Sequence, residues 1–193
     1  MVMSERMFFR AASVAVLALC TASWPTLAAA EDQPERIEAL RIMSMHEPEN
    51  PEWHEALGHL LLGAGVEVDE KTAEEAELHL RRAVELDPTL YWAWYDLAIL
   101  HMDTEEGNQY LKNAIAANPK FPEPYYWLAY TYARNRRDTE AIPVFERYLQ
   151  MTQGNPSEDG RMEVAGKLLT ELRTGIEGEE LRKVRRPTEG GNL

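Results

Sequence analysis

The chain has 193 residues, 45% of them hydrophobic and 27% charged, with 11 glycines, 11 prolines and one cysteine. This composition fits one globular domain or a short repeat array, and it excludes wholesale disorder and collagen-like periodicity. Twenty Lys and Arg against 33 Asp and Glu leave a net charge of −13, which argues against an electrostatic hold on nucleic acid or anionic lipid; any partner is expected to be basic or apolar.

Arg6 and Arg10 precede an uncharged stretch from Ala11 to Ala30, broken by Pro25 and ending in Ala28-Ala29-Ala30 ahead of Glu31-Asp32. Small residues at the end of such a stretch suit a signal peptidase, so residues 1–30 are expected to be a cleavable secretory signal, and the mature chain a periplasmic or secreted protein. The alternative is a membrane-anchored protein, with the segment retained or Cys20 lipidated. Leu17-Ala18-Leu19-Cys20 is similar to a bacterial lipobox, but Leu19 stands where a small residue belongs. Cleavage after Ala30 removes the one cysteine and with it any disulfide or thiolate chemistry.

Beyond the signal the spacing predicts helices over about 35–46, 52–64, 72–86, 90–102, 105–117, 122–135, 139–151 and 158–174, and no strand. Residues 31–49 are an N-terminal helix and linker. Three segments then align, over 50–88, 89–119 and 120–153. The first carries His54, Leu57, Gly58 and Leu61, then Ala76, Leu80, Ala83 and Pro88. The second carries Trp94, Leu97, Ala98 and His101, then Leu111, Ala114 and Pro119; the third carries Tyr125, Leu128, Ala129 and Tyr132, then Ala141, Phe145 and Tyr148. Between units the spacing is constant, with Leu80 to Leu97 and Leu111 to Leu128 both 17 residues apart. Within units it varies, as stacked helical hairpins allow when the contact between neighbours fixes one junction and the other loop faces solvent. Gly63-Ala64-Gly65 falls in such a loop. Pro143 is expected to be tolerated in the first turn of its helix, or to kink it. Residues 154–175, with Met162, Ala165, Leu168, Leu169 and Leu172 in one stripe, are expected to cap the last hairpin. Residues 176–193, including the basic cluster Arg182, Lys183, Arg185 and Arg186, are expected to be a flexible tail.

These residues resemble the tetratricopeptide repeat (TPR) family, over about residues 50–153. The resemblance implies an all-α, right-handed α-solenoid of about three helical hairpins between an N-terminal helix and a capping helix. Three positions depart from the family pattern: Gly107 replaces Ala, Tyr148 replaces a small residue, and His54 replaces the first aromatic, with Trp53 beside it as a possible substitute after a register shift.

Catalytic and metal-binding patterns are not met. His54 and His59 are five apart, not the four that would turn both toward one zinc ion. His79 and His101 fall at packing positions, and Ser44, Thr139 and Ser157 at turns or caps. The carboxylates follow helix surfaces, and Gly63-Ala64-Gly65 lacks the rest of a phosphate loop. No catalytic residue, cofactor or metal is expected.

What remains is surface. Trp92, Tyr95, Ile99 and Met102 in the second unit, and Tyr126, Tyr130 and Arg134 in the third, share helix faces not used between hairpins. The resemblance implies that this face lines a concave groove for a peptide or partner helix. Packing against neighbouring helices is the competing reading for Trp92 and Tyr126. With Arg134 the one basic residue in the set, the face suits an apolar or Tyr- and Pro-rich peptide with basic flanks better than a terminal carboxylate. The expected function is a non-catalytic scaffold in the cell envelope that helps assemble a complex; the alternative is an accessory or regulatory subunit of a periplasmic or membrane enzyme. Nucleic acid and small-molecule substrates are not expected partners.

Overall fold

The computed structural model describes residues 33–63 and 68–184. Among them every regular element is helical: α1 (Gln33–His46), α2 (Pro51–Leu62), α3 (Glu70–Leu86), α4 (Tyr91–Leu100), α5 (Glu105–Ala117), α6 (Glu123–Arg134), α7 (Asp138–Thr152) and α8 (Asp159–Val184), the last preceded by a 3-10 turn at Pro156–Glu158. The expected signal with Cys20, residues 64–67 of the first loop, and Arg185 and Arg186 lie outside the described residues.

Three hairpins, α2/α3, α4/α5 and α6/α7, stack in chain order, each second helix packing on the next first helix, with α1 against α2 and α8 against α7. The all-α solenoid is therefore built by one repeated contact. Leu80, Leu97, Leu111 and Phe145 are almost wholly buried, and Ala76, Ala83, Ala98, Ala114, Ala129 and Ala141 are fully buried where the helices approach most closely. Each buried leucine contributes roughly 1.5–3 kcal/mol of apolar burial, and the alanines make that burial possible by letting backbones approach. At Gly58 even a methyl group is excluded, since a Cβ there would lie 2.5 Å from Leu80 Cγ.

The junction between units is a repeated turn. The amide of Asn50 donates to the Glu47 carbonyl, that of Leu90 to Asp87, and that of Phe121 to Asn118. Six residues after each junction proline, a ring nitrogen or hydroxyl of the first helix donates back to that proline's carbonyl: His54 Nε2 to Pro48 at 3.1 Å, Trp94 Nε1 to Pro88 at 2.9 Å, and Tyr125 Oη to Pro119 at 3.2 Å. A carbonyl can only accept, so His54 carries its proton on Nε2 and its Nδ1 accepts from His79 Nδ1 at 2.8 Å. His54 thus performs the aromatic residue's task itself, with no register shift. Trp53 instead donates to Glu47 Oε2.

Placing Pro48 beside Pro88 and Pro119 also identifies α1, which occupies the register of a second helix. Ile37 and Leu40 pack on Leu57, Leu61 and Ala76, as a preceding unit would. The positions of the small residues Ala76 and Ala83 are taken in α1 by Arg36 and Met43. Among the described residues α1 is the first helix of the stack, with larger side chains where α3 carries alanine. Arg41 fastens it to α3 through two 2.7 Å bonds to the Glu75 carboxylate, which hold that carboxyl below its ordinary range.

The second hairpin explains Gly107. Leu97 to Leu111 is 14 residues, against 17 for Leu128 to Phe145, so the link is short. Helix α4 accordingly stops at Leu100, earlier than expected, the chain turns through Asp103 at φ 69°, and α5 starts under the His101 carbonyl, where a Cβ at Gly107 would collide. Thr104 caps α5 by accepting from the Gly107 amide at 3.0 Å.

At the other end, Tyr148 is fully buried and donates to Glu158 at 2.7 Å, so the large residue in place of a small one ties α7 to the turn that starts α8. Met162, Ala165, Leu168, Leu169 and Leu172 pack on the main core, forming the expected cap. Helix α8 continues to Val184, and residues 176–184 of the expected tail are helical. Pro143 lies in the second turn of α7, not the first, within an unbroken helix. Ser44 is a buried residue of the last turn of α1, donating to the Arg41 carbonyl within the helix.

Candidate functional site

The first helices α2, α4 and α6 carry the residues singled out above. Trp92 and Tyr95, one turn apart on α4, meet edge to face with ring centroids 5.7 Å apart, and both rest on Phe121 at 4.5 and 5.3 Å. Tyr95 Oη accepts a 3.1 Å hydrogen bond from Trp127 Nε1 on α6, and Trp127 meets Tyr130 at 5.9 Å. The result is a continuous strip of rings from Trp92 to Tyr130, crossing two units, in which Trp92, Tyr95, Trp127 and Tyr130 are half-buried. Burial raises the Tyr95 phenol above its ordinary pKa, with the Trp127 indole opposing the rise.

Not every expected residue is on this strip. Tyr126 is buried against Tyr148 and Phe145, with burial raising its phenol, and it supports the strip from beneath, Tyr130 stacking at 6.3 Å. Ile99 is exposed on α4. Met102 lies in the turn beyond Leu100 and so leaves the α4 face, a consequence of the short link. Arg134, the last residue of α6, is exposed and engaged with Asp103 at 2.5 Å.

Beside Trp92 the strip changes chemistry. The His59 ring of α2 meets Trp92 at 5.8 Å, and its Nδ1 lies 2.6 Å from Oδ2 of Asp96, a residue only 6% exposed. The Asp96 carboxylate raises the His59 pKa, and burial opposes it. Glu55, one turn before His59, accepts from the Ala93 amide at 3.3 Å. Burial pushes its carboxyl up to about 7, helped by Asp96 and opposed by Ala93 and His59. Glu123, in the first turn of α6, is likewise raised by burial, and its Oε2 is buried without a hydrogen-bond donor among the described residues. Among those residues no group of three His, Cys, Asp or Glu could hold a metal ion. No helix there is long and apolar enough to cross a membrane.

Phe121, Trp127, Glu55, His59, Asp96 and Glu123 were therefore missing from the candidate set. The signal for two of them lies in the repeat itself: Tyr95 and Ile99 correspond, one unit earlier, to Glu55 and His59, as Leu97 corresponds to Leu57. Shape and position were repeated while the chemistry was not.

Comparison with known proteins agrees with this architecture. The tetratricopeptide repeat family model matches residues 95–156. The tetratricopeptide repeat-containing protein trd-1 of Caenorhabditis elegans is 26% identical over 120 residues, 61% of this chain; the chain spans only 15% of that protein. Among solved structures, a crystal structure of MamA superposes with a TM-score of 0.57 at 22% identity, covering 77% of this chain and 91% of MamA. MamA 41-end from Desulfovibrio magneticus RS-1 gives 0.54 at 14% identity over 96% and 100% of the two chains, and pilF of Pseudomonas aeruginosa 0.52 at 16% over 80% and 78%. At these identities the structures speak to the fold.

Proposed function

We propose that this chain, whose residues 95–156 match the tetratricopeptide repeat family model, is a protein–protein interaction scaffold whose first-helix face holds an extended peptide or a partner helix. The observation that carries this reading is the unbroken strip from Trp92 through Tyr95 and Trp127 to Tyr130. Half-buried Trp and Tyr side chains bury large areas on binding while giving up few rotors, and here packing already fixes them, so little ordering entropy remains to be lost. Ile99 extends the apolar surface.

The same reading makes the protein non-catalytic and places it in the cell envelope, assisting assembly of a complex there. The support for export is the Arg6 to Ala30 segment, and its test is the N-terminal mass of the native protein, expected to begin at Glu31. The test of the binding role is direct. Trp92→Ala, Tyr95→Ala and Tyr130→Ala should each weaken recovery of the partner by pull-down while helical circular dichroism is retained. Undiminished recovery with all three would remove the strip from the reading.

A further inference from the structure

Four of the buried and half-buried carboxylates among the described residues are ion-paired. Glu75 holds Arg41, Glu77 holds Arg81 and His101, Glu158 holds Arg161 and the Tyr148 hydroxyl, and Asp96 holds His59. Two differ. Glu55 has an amide and no ion-pair partner among the described residues, and Glu123 leaves Oε2 buried and unbonded. Both are on first helices, and between them runs the strip of rings: Glu55 is bonded to the residue next to Trp92, and Glu123 follows Phe121 by two positions. Burying a carboxylate without a bonded cation is unfavourable, and Glu55 is half-buried beside Trp92 with only His59, already held by Asp96, as a cationic neighbour. Residues 31–119, which include Glu55, carry 20 acidic and 6 basic side chains, so the surrounding field also favours a cation.

We propose that the strip receives a Lys or Arg side chain of the partner at Glu55, flanked by the Trp92 indole, so that the partner is a basic segment with apolar or aromatic neighbours. This rests on the binding role proposed for the strip and names the chemistry of its occupant. The cation would bond to Glu55 Oε2, since Oε1 accepts from the Ala93 amide, and the indole face would attract it from the side. Asp96, held by His59, adds negative charge behind the site without competing for the same bond.

The test starts from random dodecapeptides displayed on phage and panned against the chain. Enriched peptides are expected to contain Lys or Arg and to lose binding to Tyr130→Ala. Replacing that arginine with citrulline, or that lysine with norleucine, should weaken binding to the native chain about 10-fold to 100-fold and leave binding to Glu55→Gln unchanged. Glu55→Gln should weaken the unmodified peptide by the same factor while its circular dichroism matches the native chain. Peptides that need Tyr130 but bind Glu55→Gln as well as the native chain would overturn the cation site and leave the strip intact. Failure to enrich any peptide dependent on Tyr130 would overturn the strip, and the cation site with it. Concentration-dependent dimers that Glu55→Gln abolishes would overturn the proposal by making a second copy the source of the cation.

Discussion

If Glu55 is kept charged and unpaired for a partner, the unliganded fold must be less stable for it. Glu55→Gln keeps the shape and the acceptor for the Ala93 amide but removes the charge. The folded-state carboxyl lies near 7 against an ordinary 4.5, a difference of about 2.5 pKa units and so about 3 kcal/mol. For a group whose folded pKa is raised, stability is fully present below the unfolded value and lost as pH rises through the folded one. The native chain should therefore lose up to about 3 kcal/mol from this group between pH 4.5 and 8, and roughly 1–2 kcal/mol is the reasonable expectation once water and side chains relax. The glutamine variant has no such loss. Urea denaturation at pH 5 and pH 8 should show the two proteins nearly equal at the lower pH and the variant more stable at the higher. Its Tm at pH 8 should rise by about 2–8 °C, at roughly 2–4 °C per kcal/mol for a chain of this size. A variant no more stable than the native chain at pH 8, or stabilised equally at both pH values, would refute the assignment of an uncompensated charge.

Gly107→Ala drives a methyl group into the His101 carbonyl and should cost about 1–3 kcal/mol in urea denaturation, since the short link leaves the backbone no room to yield. Burial and the neighbouring His54 lower the His79 pKa, with Glu75 opposing and Arg41 reinforcing, so His79 contributes stability above about 6.5 that is lost as pH falls through the folded value. His79→Asn should flatten that part of the pH–stability profile. Tyr148→Phe leaves the buried Glu158 carboxylate without its 2.7 Å hydroxyl donor and should cost about 1–3 kcal/mol, read as a lower midpoint in the same denaturation.

Most of the fold was legible because a repeat states its packing rule several times. Leu57, Leu97 and Leu128, and the alanines opposite them, follow from spacing alone. At the second hairpin a local length change is the cause of the departure: the short α4–α5 link ends α4 at Leu100, takes Met102 off its face and requires Gly107. Residues 176–184 carry Glu, Leu, Arg and Lys, which are good helix formers, so α8 runs past Gly175. The ring strip was legible in part, through Trp92, Tyr95 and Tyr130. Tyr126 could not be separated from them by spacing, because its burial depends on Tyr148, a residue whose size is the anomaly of its own unit.

Glu55 and His59 were hidden for the opposite reason. Repeat patterns are defined by what is shared, and a residue that distinguishes one unit from the next is absent from the pattern by construction. The shared positions, Leu57 with Leu97 or Ala83 with Ala114, hold the stack together and are spent in doing so. The faces left over are free to differ, and it is their differences that can discriminate one partner from another. In this chain the position that is Tyr95 in the second unit and Tyr126 in the third becomes a carboxylate in the first, so the strip of rings has an acidic end. That gives a bound segment a direction as well as an address, since only one of its two orientations sets a cation against Glu55.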